Sequence, residues 1–464
     1  MEIREYLNQN VDSMLEDIKR LIRINSTKGN AKQGMPYGEG TAQALKEAEK
    51  IATSMGFKTK NYENHVLTID LNDNETQLDI LAHLDVVPAG DGWTVTTAFE
   101  PVVVDNKLYG RGAMDDKGPA MAALYAMKAI KDLNVPVNKN VRLILGADEE
   151  CECTDIKYYY KLEKEAPMTV SPDANFPVIN IEKGSLRGKV VAEFKDENLS
   201  SGIHRIWGGE KGNVIPGKAL AEIYGISKAQ VEEVCVKEKR TTKLEYKVEE
   251  KGQFILISVF GKTGHASSPL NASNAVTGII NLISKLPLEE GEGFKHIKSL
   301  SKLFPHGDWR GAAAGVSQED EVSGILTICL DIIEFGNGQL TATFDSRCPI
   351  CANEDNMRNV LEENCEKLGL KLDAGNMQKP HYVPADSPLV VTLLKCYEEV
   401  TGQKGETIAI GGCTYTHDLK NGVAFGPAMQ GRDYCLHGPN EFAGIADLLL
   451  CAEAYAKVIE SLCK

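Results

Sequence analysis

No stretch of this chain approaches the roughly 18–20 apolar residues that a membrane span requires. The N-terminus, MEIREYLNQNVDSMLEDIKRLIRI, alternates acids and bases with apolar residues at helical spacing. It lacks the uninterrupted apolar segment and the small-residue cleavage site of a secretory signal, so a cytoplasmic location is expected. Basic residues are in deficit: 51 Lys and Arg against 66 Asp and Glu leave a formal charge of −15. That balance argues against nucleic acid or an anionic membrane as partner, since both need basic patches. Cysteine is missing from the first 150 residues, and the twelve present are scattered from Cys151 to Cys463. The close pairs Cys151/Cys153 and Cys348/Cys351 lack the matched partners or nearby histidines of a structural zinc site. They are expected to be reduced thiols rather than a disulfide framework. There is no internal repeat and no low-complexity tract.

What is present is globular: 464 residues, 42% hydrophobic and 25% charged, long enough for about two or three domains. The first 180 residues alternate helical and strand patterns. Residues 3–23 and 41–55 have helical periodicity, the second ending at Gly56, where a left-handed cap is expected. Apolar runs at 64–71, 78–84 and 141–147 predict strands, the last two continuous enough to be buried. A helix near 118–133 is opened by Gly118-Pro119, and proline suits a first turn. This alternation predicts an α/β domain with a mainly parallel central sheet. From 185 to 383 strand-like stretches dominate, with helices near 227–237, 271–285 and 354–368. The α/β pattern returns at Asp386 and ends in a long helix at 441–461. The expected organisation is a catalytic α/β domain, 1–184 with 384–464, interrupted by an inserted α+β lid domain at 185–383.

Several polar clusters fall where such a domain displays chemistry. His83-Leu84-Asp85 closes the run LDILAHLD, and ligands of open α/β sheets bind beyond the carboxyl ends of strands. Alternation puts His83 and Asp85 on one face, where a carboxylate can orient the imidazole. Gly110 to Gly118, GRGAMDDKG, lacks the spacing of a phosphate loop, but consecutive aspartates among glycines suit a hard metal ion. Asp148-Glu149-Glu150 ends the strand VRLILGA, and three such acids repel unless a cation lies among them; one glutamate can bind metal while its neighbour acts on a water. Asp173 lies in SPDANFPVINIEKG, and His437 in the HGPNE loop before the last helix. Each alone also suits an acidic or polar surface loop. Together, His83, Asp115, Glu150, Asp173 and His437 form the ligand set of a two-metal site with ions about 3.5–4 Å apart. Imidazole and carboxylate without thiolate suit zinc, and also manganese or cobalt.

At that point the motifs are recognisable. HLD, GRGAMDDKG, DEE, SPDANFPVINIEKG, GKTGHASSP, FDSRCP, GGCTY and HGPNE run in family order from residue 83 to 441. The chain resembles the aminoacylase/carboxypeptidase G family of di-metal peptidases, and within it the bacterial PepV-type Xaa-dipeptidases, relatives of the carnosinases. The resemblance implies that His83 and Asp173 hold one metal, Glu150 and His437 the other, and that Asp115 bridges them. Glu149 is implied as the general base that activates the metal-bound water, and Asp85 as the residue orienting His83. His265 resembles the lid histidine that polarises the scissile carbonyl, and Asn213 an asparagine that binds substrate. Arg347 resembles the cation that holds the substrate's terminal carboxylate, assisted by backbone amides of Gly411-Gly412. Cys413 and Thr416-His417 depart from the family pattern on that carboxylate wall, where a small residue and an arginine are usual; the departures bear on side-chain preference.

The resemblance implies a metal-dependent dipeptidase acting on free dipeptides, monomeric because the enlarged lid takes the place of a partner subunit. An N-acyl-amino-acid amidohydrolase with the same site is the alternative activity. A non-enzymatic binding protein would be expected to lack the base or the bridge, and both Glu149 and Asp115 are present.

Overall fold

The computed structural model describes residues 1–195 and 198–464. The chain divides into two compact units, Met1–Ile181 with Tyr382–Lys464, and Glu182–His381.

The first unit is built on a nine-stranded sheet. Four neighbouring strands in its middle, in the order Asn140–Gly146, Thr76–His83, Met168–Ser171 and Gly422–Ala424, run parallel. The two continuous apolar runs supply two of them, and in both the last four residues are buried, as strands covered on both faces require. The sheet is mixed rather than mainly parallel. Val66–Asp70 pairs antiparallel with Asn140–Gly146 and with Lys58–Tyr62, and on the other side Gly422–Ala424 meets Val178–Glu182 antiparallel. The connection between Lys58–Tyr62 and Val66–Asp70 is only three residues long, too short for the helical crossover that parallel strands need.

The helix Lys117–Asp132 is buried along nearly its whole length and packs on Thr76–His83 and on the last helix, Ile445–Leu462. Its five alanines favour helix and let the backbones approach closely. The expected first helix is two, Ile3–Gln9 and Val11–Ile22, broken at Asn10. Glu39–Ser54 is followed by Gly56 in the left-handed conformation, φ 76°. The last helix begins at Ile445 rather than near 441, because Phe442–Gly444 is a short strand.

The second unit holds an eight-stranded antiparallel sheet around its own apolar core. Three of its strands, Gly202–Gly208, Lys218–Tyr224 and Glu245–Lys251, and the helix Glu292–Leu303 lie outside the elements expected from sequence, although the helix buries Phe294, Ile297, Leu300 and Leu303 at helical spacing and Lys218–Tyr224 alternates in burial. No helix among the described residues is long and apolar enough to cross a membrane, and all twelve cysteines are unbridged.

Candidate metal centre

Three adjacent parallel strands deliver the first group of side chains. His83 is the last residue of Thr76–His83, opposite Gly146 of the neighbouring strand. Glu149 and Glu150 follow Asn140–Gly146, and Asp173 follows Met168–Ser171 two residues past its end. Strand neighbours lie about 4.8 Å apart, so residues just beyond their carboxyl ends converge. A second, three-stranded sheet delivers the rest. Lys107–Tyr109 leads into the Asp115 loop, and the His437 loop leads into Phe442–Gly444. These two strands pair antiparallel, Tyr109 opposite Phe442, which sets the loops side by side.

The resulting cluster is tight. The two oxygens of Asp115 face different histidines, Oδ1 at 3.1 Å from His83 Nε2 and Oδ2 at 2.9 Å from His437 Nε2. Asp173 Oδ2 lies 3.6 Å from His83 Nε2, and Glu150 Oε1 3.3 Å from His437 Nε2. Ligand atoms of His83, Glu149 and Asp173, and of His83, Asp115 and Glu150, lie within 4.8 Å of one another in each set. His83 is fully buried, whereas the His437 side chain is 56% exposed. The structure therefore brings together all five predicted ligands and Glu149.

Asp85 touches more than sequence suggested. His83 Nδ1 lies 3.0 Å from the Asp85 carbonyl oxygen and 3.4 Å from its carboxylate. A proton on Nδ1 leaves Nε2 as the free ligand atom, a tautomer set by its neighbour. The two carboxylate oxygens accept the backbone N–H of Glu149 and of Glu150, both at 3.1 Å. Asp85 therefore ties the His83 strand to the glutamate pair. Asp148, the first acid of the triplet, has other partners: Lys28 at 2.7 Å, and the backbone N–H and hydroxyl of Thr154. Lys28 was not foreseen, and nothing local in a single sequence connects it to residue 148. Asp116, beside the bridge, accepts the His83 backbone N–H at 3.2 Å.

The electrostatics state what the cluster is built for. Burial alone would lower the His83 imidazole, but Asp115, Asp173 and Asp85 outweigh it and hold it well above its ordinary value. Asp115 and Glu150 push His437 up to about 10. Burial drives the carboxyls of Glu149, Glu150 and Asp173 upward, while the two histidines overcome burial at Asp115 and pull it down. Four carboxylates thus converge on two imidazoles, and protein atoms alone balance this charge only by taking up protons. Divalent cations replace those protons directly. The donor set fits two such ions: oxygen and imidazole nitrogen, no thiolate, and one carboxylate turned both ways.

The other predicted residues lie apart in sequence and in different settings. In the second unit, His265 pairs with Val214 in a two-stranded ladder, and Ala266 N–H bonds the Asn213 carbonyl, so His265 and Asn213 are neighbours. The Ser267 backbone N–H donates to His265 Nδ1 at 3.1 Å, which leaves the proton on Nε2. Burial, then Arg347, lowers the His265 pKa, which favours the neutral ring. Arg347 is buried, 3.0 Å from Asp345, which Arg187 also engages, and its Nε has no partner among the described residues. In the first unit, Gly411 and Gly412 follow the strand Thr407–Ile410; Gly412 and Cys413 are exposed, and His417 is buried in a short 3-10 turn.

Comparison with known proteins identifies a family. The family model described as peptidase family M20/M25/M40 matches residues 80–461. YtjP of Bacillus subtilis (strain 168), which carries a provisional dipeptidase name, is 35% identical, with 98% of each chain covered. The Beta-Ala-Xaa dipeptidase of Lactobacillus delbrueckii subsp. lactis is 29% identical, covering 100% of this chain and 99% of its own. Human carnosine dipeptidase 1 shares the fold, with a TM-score of 0.60 at 15% identity over 99% of this chain and 98% of that one. The chain belongs to peptidase family M20/M25/M40 and is a hydrolase, a metallopeptidase.

Proposed function

We propose that this member of the M20/M25/M40 peptidases is a metal-dependent dipeptidase, cleaving dipeptides whose amino and carboxyl ends are both free. The observation that carries the proposal is Asp115, one oxygen toward His83 and the other toward His437. His83 and Asp173 would hold one divalent ion, Glu150 and His437 the other, and Asp115 both. Bound there, two ions supply Lewis acidity toward the scissile carbonyl and lower the pKa of the attacking water. Zinc suits the donors, and so do manganese and cobalt.

Glu149 takes the proton of the water and delivers it to the leaving amine. Its burial and the acids beside it raise its proton affinity, which suits a group that holds a proton between two transfers. His265, with its proton on Nε2, is a neutral donor for the developing oxyanion, a contact whose loss costs about 2.7–4 kcal/mol of barrier. Arg347 has a donor at Nε without a partner among the described residues, and a guanidinium suits the terminal carboxylate, which it can grip in two-pronged fashion. Gly411-Gly412 amides assist there, and Asn213 binds substrate. His265, Asn213 and Arg347 belong to the inserted unit; a monomeric state is part of the same proposal. A cytoplasmic location belongs to the same proposal. The names of the two relatives support a dipeptide substrate.

The test is metal reconstitution of chelator-treated protein, followed by assay on a dipeptide panel that includes β-alanyl dipeptides. A tripeptide and an N-acetyl amino acid serve as controls. Metal-restored cleavage of dipeptides alone is expected; cleavage of the N-acetyl amino acid without dipeptide hydrolysis overturns the proposal.

A further inference from the structure

The carboxylate of Glu441 is fully buried and lies among the loops that carry the metal ligands. Its Oε1 accepts the backbone N–H of Gly112, Met114 and Asp115 at 3.0, 3.1 and 3.3 Å. Its Oε2 meets Arg111 Nη1 at 2.7 Å, and both side chains are 1% exposed. Arg111 Nη2 donates to the carbonyls of Pro88 and Ala89, both at 3.2 Å, and Nε has no partner among the described residues. The backbone continues the connection, with Gly110 N–H bonding the Glu441 carbonyl at 3.0 Å.

One ion pair therefore joins three segments far apart in sequence: the chain after His83-Asp85, the Asp115 loop, and the His437 loop. The His437 loop needs such an anchor. Cys435, His437 and Asn440 all have left-handed backbones, φ 56°, 60° and 59°, a conformation that persists in non-glycine residues only where the surroundings enforce it. The Asn440 side chain accepts the N–H of Thr94 and Val95, and Glu441 follows it immediately. His437 itself is more than half exposed, so packing does not hold it.

We propose that Glu441, together with Arg111, is a positioning residue that sets the spacing between the bridging Asp115 and His437. Both Glu441 oxygens are engaged by backbone N–H groups and Arg111, so it acts by fixing the backbone amide of one ligand and the loop anchor of the other. This rests on the two-metal reading above. The effect falls first on the ion held by Glu150 and His437, because the His83 site has its own strand and Asp85 to hold it. Outer partners of metal ligands typically change affinity about 10–100-fold.

Apo-protein is titrated with Co²⁺, following stoichiometry by equilibrium dialysis with metal analysis, and the visible spectrum at saturation. Wild type is expected to bind two equivalents. Glu441→Gln keeps the shape but loses the charge; it is expected to retain one tight equivalent, weaken the second at least 10-fold and alter the cobalt spectrum. Arg111→Met, which leaves Glu441 in place, is expected to move the same affinity in the same direction, and it serves alone should Glu441→Gln fail to fold. Arg142→Met is the control for general destabilisation, remote in its bonding from these loops, and is expected to leave both affinities within twofold. Two equivalents bound within twofold of wild type by the folded Glu441→Gln or Arg111→Met variant, with an unchanged spectrum, overturn the inference. Equal weakening by Arg142→Met also overturns it, since any loss of stability would then suffice. A wild-type chain that binds no second equivalent overturns the two-metal reading and this inference with it.

Discussion

Asp148, Glu149 and Glu150 are consecutive acids in three different surroundings. Lys28 neutralises the first, His83 and Asp173 lie near the second, and His437 meets the third. Replacing Glu149 by Gln is expected to lower kcat by about 10²–10⁴-fold, the range for loss of a positioned proton-transfer group. Steady-state kinetics and metal analysis check it together, since the bound metal count should not change; full activity in this variant removes Glu149 from the mechanism. Asp331 gives a separate prediction, on stability. It is fully buried with neither oxygen hydrogen-bonded among the described residues, and burial, then Asp345, pushes it up to about 9. A carboxyl raised in the folded state favours folding most at low pH, and that contribution is lost as pH climbs from its unfolded value near 3.9 through 9. Asp331→Asn should therefore raise Tm by an amount that grows between pH 5 and 9, worth about 1–3 kcal/mol near neutrality. Thermal melts across that range check the slope, and a pH-independent change refutes it. Sequence offered the candidate acids at the metal centre because they punctuate apolar runs. It offered no sign of Lys28 or of the Arg111–Glu441 pair, whose partners are separated by more than a hundred residues.

Among the elements, two of the four parallel strands, Thr76–His83 and Asn140–Gly146, were legible because burial on both faces leaves a nearly continuous apolar run, whereas the shorter Met168–Ser171 and Gly422–Ala424 were not. The antiparallel flanks were not, since a run does not encode the direction of its neighbour. One polar residue interrupts the Thr76–His83 run: Asp79, fully buried, whose two oxygens are bound by Arg142 Nε and Nη2 at 2.9 and 3.0 Å from the adjacent strand. Removing the cation alone strands a buried charge, so Arg142→Met is expected to cost about 3–5 kcal/mol. Adding Asp79→Asn should recover part of that loss. Chemical denaturation of both variants measures the coupling, and equal stabilities for single and double variants contradict it.

For the molecule as a whole, two units with separate apolar cores divide the chain, and His83, Asp115, Glu150, Asp173 and His437 all belong to the first. Because these ligands meet only in the folded state, metal binding and folding are linked. Divalent metal at 100 times its Kd should stabilise the protein by about 2.7 kcal/mol. Calorimetry with metal and with chelator checks this, and a melting profile indifferent to both contradicts it. What the sequence determined by itself was local: apolar periodicity, the turn residues, and the order of the motifs from His83 to His437, each written in a few adjacent residues. What only the tertiary structure decided was which distant residues meet. Parallel strand order carried His83, Glu149, Glu150 and Asp173 to the carboxyl ends of the central strands. A three-residue antiparallel pairing brought in Asp115 and His437, which are 322 residues apart. Pairing between distant strands depends on the packing of the whole unit, and no short stretch of chain contains that information.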